Sequence, residues 1–145
     1  MTPRIQPVVL SPQSIANAPA EGFAPGTPAG NVTWKTLLSA PGTPSNTLTS
    51  GIAMCAPKGG HLKCHRHTHP EMYYIISGRG IMEIDGEEHR VEKSAVVFIP
   101  GGAEHGIRNE DEEEELRWLY VFAAGGFEEI VYRFSDNGSK PRAKL

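Results

Sequence analysis

The sequence has no amphipathic helical run, no long apolar stretch, only two cysteines and no excess of positive charge, and each lack removes a class of protein. No segment places apolar residues at a spacing near 3.6 between helix caps over a helical length, and no internal repeat is visible, so an all-β chain is expected. Fourteen Lys and Arg against seventeen Asp and Glu leave a formal charge of −3. That balance gives no electrostatic reason to expect nucleic acid or an anionic membrane as partner, and leaves small molecules as the expected ligands. No apolar run approaches a membrane span, and no basic segment leads into an apolar one near Met1, so the expected location is the cytoplasm. The two cysteines, Cys55 and Cys64, read as free thiols packed in strands. They flank Pro57-Lys58-Gly59-Gly60 and would face each other if that turn closed a hairpin.

A chain of 145 residues suits one domain with a real core. Residues 1–30 hold half of the prolines and show no sustained period, which reads as an extended arm that would hang free, lie along the domain or cross to a second subunit. Strand-like runs then cover 31–38, 48–56, 72–77, 81–84, 87–92, 94–99, 116–123 and 127–134. Asp85-Gly86 marks a hairpin, and Ser94 to Ile99, apolar on both faces, reads as a strand buried on both sides. The expected organisation is therefore an arm (1–30), a strand-rich domain (31–134), and a polar, basic tail (135–145). The strand count suits a jelly roll.

The chemistry concentrates in two places. Residues two or four apart on a strand share a face, so His65 and His67 project together. Glu71 returns to that interior face if Pro70 bends the chain without rotating it far, and His105, from a distant segment, closes the set. Three imidazoles and a carboxylate suit one divalent first-row ion (iron, manganese, nickel, copper or zinc) and not calcium or magnesium. Four protein ligands leave two positions of a six-coordinate ion for water or substrate, which points to a catalytic site. Tyr73, two residues beyond Glu71, faces the same interior, and its phenol is the candidate catalytic group, as hydrogen-bond donor or general base. His69 beside Pro70 reads as a loop or supporting residue, His61 and His89 as solvent-facing, and Glu110 to Glu115 as a solvated acidic loop. Trp118, Tyr120 and Phe122 share one face of a late strand, with Leu119 and Val121 on the other.

The spacing of these residues resembles the cupin family. Gly59, His65, His67, Glu71 and Gly78 fall at the positions of the first cupin motif, and Pro100, Gly102, His105 and Asn109 at those of the second, whose leading glycine is Ser94 here. The resemblance spans roughly residues 50 to 123. It implies a double-stranded β-helix, a small jelly-roll barrel, holding one metal ion, and self-association as a homodimer. Two reaction types fit such a site, dioxygenation and lyase or isomerase chemistry on a substrate that coordinates the metal. The pair Glu71 and Tyr73 is similar to that of cupin-type dimethylsulfoniopropionate lyases, in which a tyrosine takes the α-proton. A non-catalytic metal-dependent module that binds a sugar or metabolite is the alternative.

Overall fold

The computed structural model describes residues 4–135. The chain runs α1 (Pro12–Asn17), β1 (Glu21–Gly22), β2 (Thr33–Leu38), β3 (Thr49–Cys55), β4 (His61–Arg66), β5 (Glu71–Ser77), β6 (Arg79–Ile84), β7 (Glu87–Glu92), β8 (Val96–Ile99), β9 (His105–Asn109), β10 (Leu116–Phe122) and β11 (Arg133–Phe134). The strands form two antiparallel sheets, one in the order β1-β2-β3-β10-β5-β8 and the other β11-β4-β9-β6-β7. This is the jelly-roll barrel the strand pattern led us to expect. No helix among the described residues is long and apolar enough to cross a membrane.

Alternation builds the barrel. On β10, Leu116, Trp118, Tyr120 and Phe122 are buried while Arg117, Leu119 and Val121 are partly exposed, and β5 buries Glu71, Tyr73 and Ile75 in the same rhythm. These inward faces meet Ile99, Met82 and Ile107 in one core. Asp85-Gly86 closes the β6–β7 hairpin with both residues at positive φ, 48° and 83°, the conformation whose twist suits a two-residue turn. The buried Asn109 side chain locks the far end of the barrel: its Nδ2 donates to the carbonyls of Cys55 and Glu114, and its Oδ1 accepts from the Asp111 N–H.

Ser94 shows why a glycine suits the head of the second motif. Its φ is 76°, a left-handed conformation that crowds a Cβ, and its N–H donates to Ile75 O to hold the β7–β8 turn. Ser94→Gly is expected to stabilise the fold by about 1 kcal/mol, the relief of left-handed strain less the added flexibility of the unfolded chain. Urea denaturation at unchanged m-value measures it, and a loss of stability would contradict this account of the turn.

The structure departs from the sequence reading at four places. The N-terminal arm is not wholly extended, since α1 is a short helix whose cap Ser11 accepts from the Ser14 N–H and whose first residue is Pro12. A helix of six residues is too short to declare itself by periodicity. The arm lies along the barrel: Lys35 Nζ donates to Ile15 O and Ala16 O, β1 pairs with β2, and Lys63 N–H donates to Ala29 O. Second, β8 is not buried on both faces. It is the edge of its sheet, and Val96 and Phe98 are 64% and 66% exposed. Third, 127–134 is not one strand but a 3₁₀ turn, Phe127–Glu129, followed by the two-residue β11. Fourth, the 57–60 turn joins β3 in one sheet to β4 in the other, so Cys55 and Cys64 do not face each other across a hairpin. Both are free, and burial pushes each thiol up to about 12, as expected of inert packed cysteines. Of the tail, only Ser135 lies among the described residues; its N–H donates to Cys64 O.

Candidate metal centre

The site forms where the chain leaves one sheet for the other. His65 on β4 and His105 on β9 are direct cross-strand partners, which puts both side chains on the inner face with ring centres 4.2 Å apart. His67 follows the end of β4, and after Pro70 turns the chain Glu71 opens β5 in the opposite sheet, beside Ile99 and Phe122. All four are buried. Each imidazole has a ring nitrogen within 4.8 Å of the others'. Glu71 Oε1 lies 3.2 Å from His67 Nε2 and 3.3 Å from His105 Nε2.

The tautomers follow from the backbone. His65, His67 and His105 each place Nδ1 against a carbonyl, those of Lys63 at 2.8 Å, His69 at 3.0 Å and Ala103 at 2.9 Å. A carbonyl only accepts, so each Nδ1 carries the hydrogen and each Nε2 of a neutral ring presents a lone pair. His65 Nε2 is buried with no hydrogen-bond partner. Burial first, and the neighbouring His105 second, hold the His65 imidazolium well below the usual histidine range, so this ring is neutral. Three imidazoles therefore cluster at one buried place with Glu71 Oε1 against two of them, His67 and His105, and where the rings are neutral their lone pairs face inward as donors for a cation. The donor set fits a divalent first-row transition ion, and the carbonyls on Nδ1 are the outer supports that orient such ligands. His69, expected as a supporting residue, supplies one of these through its backbone oxygen.

Tyr73 is buried, with its ring stacked on Trp118 at 5.2 Å. Burial and the charge of Glu71 push its phenol well above the usual tyrosine range, so it is protonated at neutral pH in the protein alone. Tyr132 was not singled out by the sequence reading. Its ring centre lies 4.7 Å from that of His65 and 5.4 Å from that of His67, and burial and Glu71 push its phenol up as well. No local sequence signal marks it, since its neighbour Phe134 meets His65 only through the pairing of β11 with β4, at 5.6 Å.

A narrow cavity adjoins this group, lined by Glu71, Tyr73, Tyr132, Phe23, Trp34 and Tyr120 among others. The arm contributes to its wall, since Phe23 packs edge-on against Trp34 at 4.9 Å and Tyr132 at 5.1 Å. Trp34 Nε1 and Tyr120 Oη are buried without a protein partner. Wider grooves, lined by Arg79, Arg90 and Glu110 and by His61, Cys64 and Glu83, lie on the outside of the second sheet, away from the imidazoles. His61 and His89 are exposed as expected, and the acidic loop is tied down by Asp111, which accepts from Arg79 Nε at 3.1 Å.

Comparison with known proteins agrees with this geometry. The cupin domain profile matches residues 52–122. The dimethylsulfoniopropionate lyase DddW of Ruegeria pomeroyi is 40% identical over 119 residues, which is 82% of this chain and 76% of that protein. The polyketide cyclase RemF of Streptomyces resistomycificus superposes with a TM-score of 0.71 at 19% identity, over 94% of this chain and 90% of that one. A cupin-2 domain protein of Rhodospirillum rubrum does so with a TM-score of 0.68 at 23% identity, over 92% and 83%. The last two likenesses speak to the fold alone.

Proposed function

Since this chain belongs to the cupin family, we propose that it is a metal-dependent lyase that eliminates a sulfonium leaving group from a small carboxylate, with His65, His67, Glu71 and His105 as the ligands of one divalent transition ion and Tyr73 as the proton-transfer residue. The observation that carries the reading is the buried cluster of three imidazoles, with Glu71 Oε1 against two of them, beside a cavity that pairs phenols with aromatic faces. The identity shared with a dimethylsulfoniopropionate lyase over most of both chains favours elimination over oxygenation.

Bound by those four side chains, a divalent ion would supply Lewis-acid stabilisation of negative charge developing on the substrate carboxylate. The chain's own residues do the rest. Phe23, Trp34, Tyr120 and Tyr132 offer a largely apolar, π-rich wall, which favours a compact organic cation through cation–π attraction. Tyr73 Oη is the site of proton transfer. Its raised phenol must give up its proton to become a base, and positive charge in the cavity acts in that sense, opposite to burial and Glu71. The phenolate takes the proton from the carbon next to the carboxylate, that electron pair forms the carbon–carbon double bond, and the carbon–sulfur bond breaks with its pair going to sulfur. The products are a neutral dialkyl sulfide and an α,β-unsaturated carboxylate, with the proton left on Tyr73. Burial of the site excludes water that would compete for the base.

The test is to supply metal-reconstituted protein with dimethylsulfoniopropionate and follow the headspace sulfide and dissolved acrylate. Equimolar products without oxygen consumption are expected. Oxygen uptake coupled to turnover would instead mean a dioxygenase, and saturable binding without products would mean a non-catalytic binding module.

A further inference from the structure

The cavity beside the imidazoles is shut. Its volume is about 20 Å³, room for one water and far below the few hundred Å³ of a small-molecule site. Glu71 and Tyr73 are 5% and 1% exposed, so a ligand reaches them only if part of the wall moves. Most of the wall is fixed. Ala53, Tyr73, Trp118 and Tyr120 stand on β3, β5 and β10, and Trp34 on β2, each strand paired on both sides. The chain end that brings Phe127 and Tyr132 is pinned as well: the Phe127 N–H donates to Ser39 Oγ, the Ala40 N–H donates to Gly125 O, and β11 pairs with β4. Phe23 is held differently. It leads into residues 24–28, which make no backbone hydrogen bond to the barrel among the described residues; the Thr27 N–H donates to Ala24 O and the Ala29 N–H to Thr27 O, both within the arm. The segment is moored at its ends alone, by the pairing of Glu21 and Gly22 with β2 and by the Lys63 N–H on Ala29 O. Gly22 and Gly30 flank it, and Gly26 and Gly30 hold positive φ of 89° and 93°. Glycines tolerate the backbone changes that a hinge requires.

We propose that residues 22–30 are a flap over the cavity, that a ligand enters when it lifts, and that Phe23 is its plug and sets the size of ligand the closed site holds. Phe23 is the one large apolar residue between Gly22 and Gly30. Its ring packs edge-on against Trp34, Tyr132 and Phe134 at 4.9, 5.1 and 5.4 Å, contacts that part together when the segment rises. Opening breaks no backbone hydrogen bond between 24–28 and the barrel, so the latch is a single half-buried ring. Pro25 and Pro28 stiffen the segment, which lets it move as a unit on its glycines. Closed again over a ligand, the ring shuts water out of the site. The structure also holds a marker of opening. The Trp34 Nε1–H is buried with no acceptor, against the ring of Phe23. With no hydrogen bond to break, it meets water as soon as the ring leaves.

The experiment is hydrogen exchange of the Trp34 indole N–H in the full chain, followed by NMR beside the backbone amides of the central strand β10, which report global unfolding. In the parent the indole is expected to be at least about 100-fold less protected than those amides, and its exchange to be insensitive to low urea, the mark of a local opening. Phe23→Ala should speed it by at least about tenfold while the β10 amides change less. An indole as protected as the β10 amides, following them in urea and unmoved by Phe23→Ala, overturns the proposal, and the urea series in the parent decides the matter without any variant. The size limit rests on the lyase reading and has its own test. Phe23→Ala should raise kcat/KM for diethylsulfoniopropionate relative to the dimethyl compound by at least about tenfold, the scale of a change of a few methylenes in an apolar pocket. An unchanged ratio overturns Phe23 as the residue that sets size. A parent whose indole exchanges by local opening, and which turns over neither compound, supports the flap and counts against the reaction alone.

Discussion

Replacing Tyr73 with phenylalanine is expected to lower kcat by about 100- to 1,000-fold while KM changes by less than about threefold. The substitution removes only the hydroxyl, and the ring that stacks on Trp118 stays, so the fold and the cavity wall persist. If the phenol is the proton-transfer group, the loss falls on the chemical step. A variant that keeps full kcat would show that Tyr73 is a packing residue, as any aromatic in a small barrel can be. Tyr132→Phe is the informative companion, because Tyr132 also sits against His65 and near Glu71. A larger loss there than at Tyr73 would move the proton-transfer role to Tyr132.

The second large effect concerns the ligands. His105→Ala is expected to weaken affinity for a divalent transition ion by more than about 100-fold, beyond the loss seen when only an outer support of a ligand is removed. Titration with Mn(II), Fe(II), Ni(II) and Zn(II) under anaerobic conditions measures it. The variant also loses a fully buried ring and its Nδ1–H bond to Ala103 O, so circular dichroism is needed to show that it folds. Unchanged affinity in a folded variant would mean that ions bind elsewhere.

Much of this site could be read from the residues, and the reasons are physical. Strand parity aligned His65 with His67, which lies just past the end of β4, while the inward place of Glu71 depended on the bend at Pro70 that carries the chain to the opposite sheet. His105 needed the second motif, since nothing local ties it to β4; the structure supplies the link as a cross-strand pair. Tyr132 escaped because its place depends on closure of the chain end over the barrel, a contact between residues almost seventy positions apart in sequence. The β8 strand misled for a different reason. Apolar residues on both faces say that both faces are covered, and they do not say by what. Val97 and Ile99 meet the core of this chain, while Val96 and Phe98 are left outside it. The helix α1 left no trace because six residues hold less than two turns of pattern.

The central claim is that the three imidazoles and Glu71 bind one transition ion, and elemental analysis tests it most directly. Protein should be purified without chelator or polyhistidine tag and measured by mass spectrometry for all first-row metals against protein concentration. About one equivalent of a single transition ion per chain, bound as isolated or after anaerobic reconstitution, is the predicted result. Less than about a tenth of an equivalent of any transition ion after reconstitution would contradict it, and would leave the clustered imidazoles of His65, His67 and His105 without a bound ion.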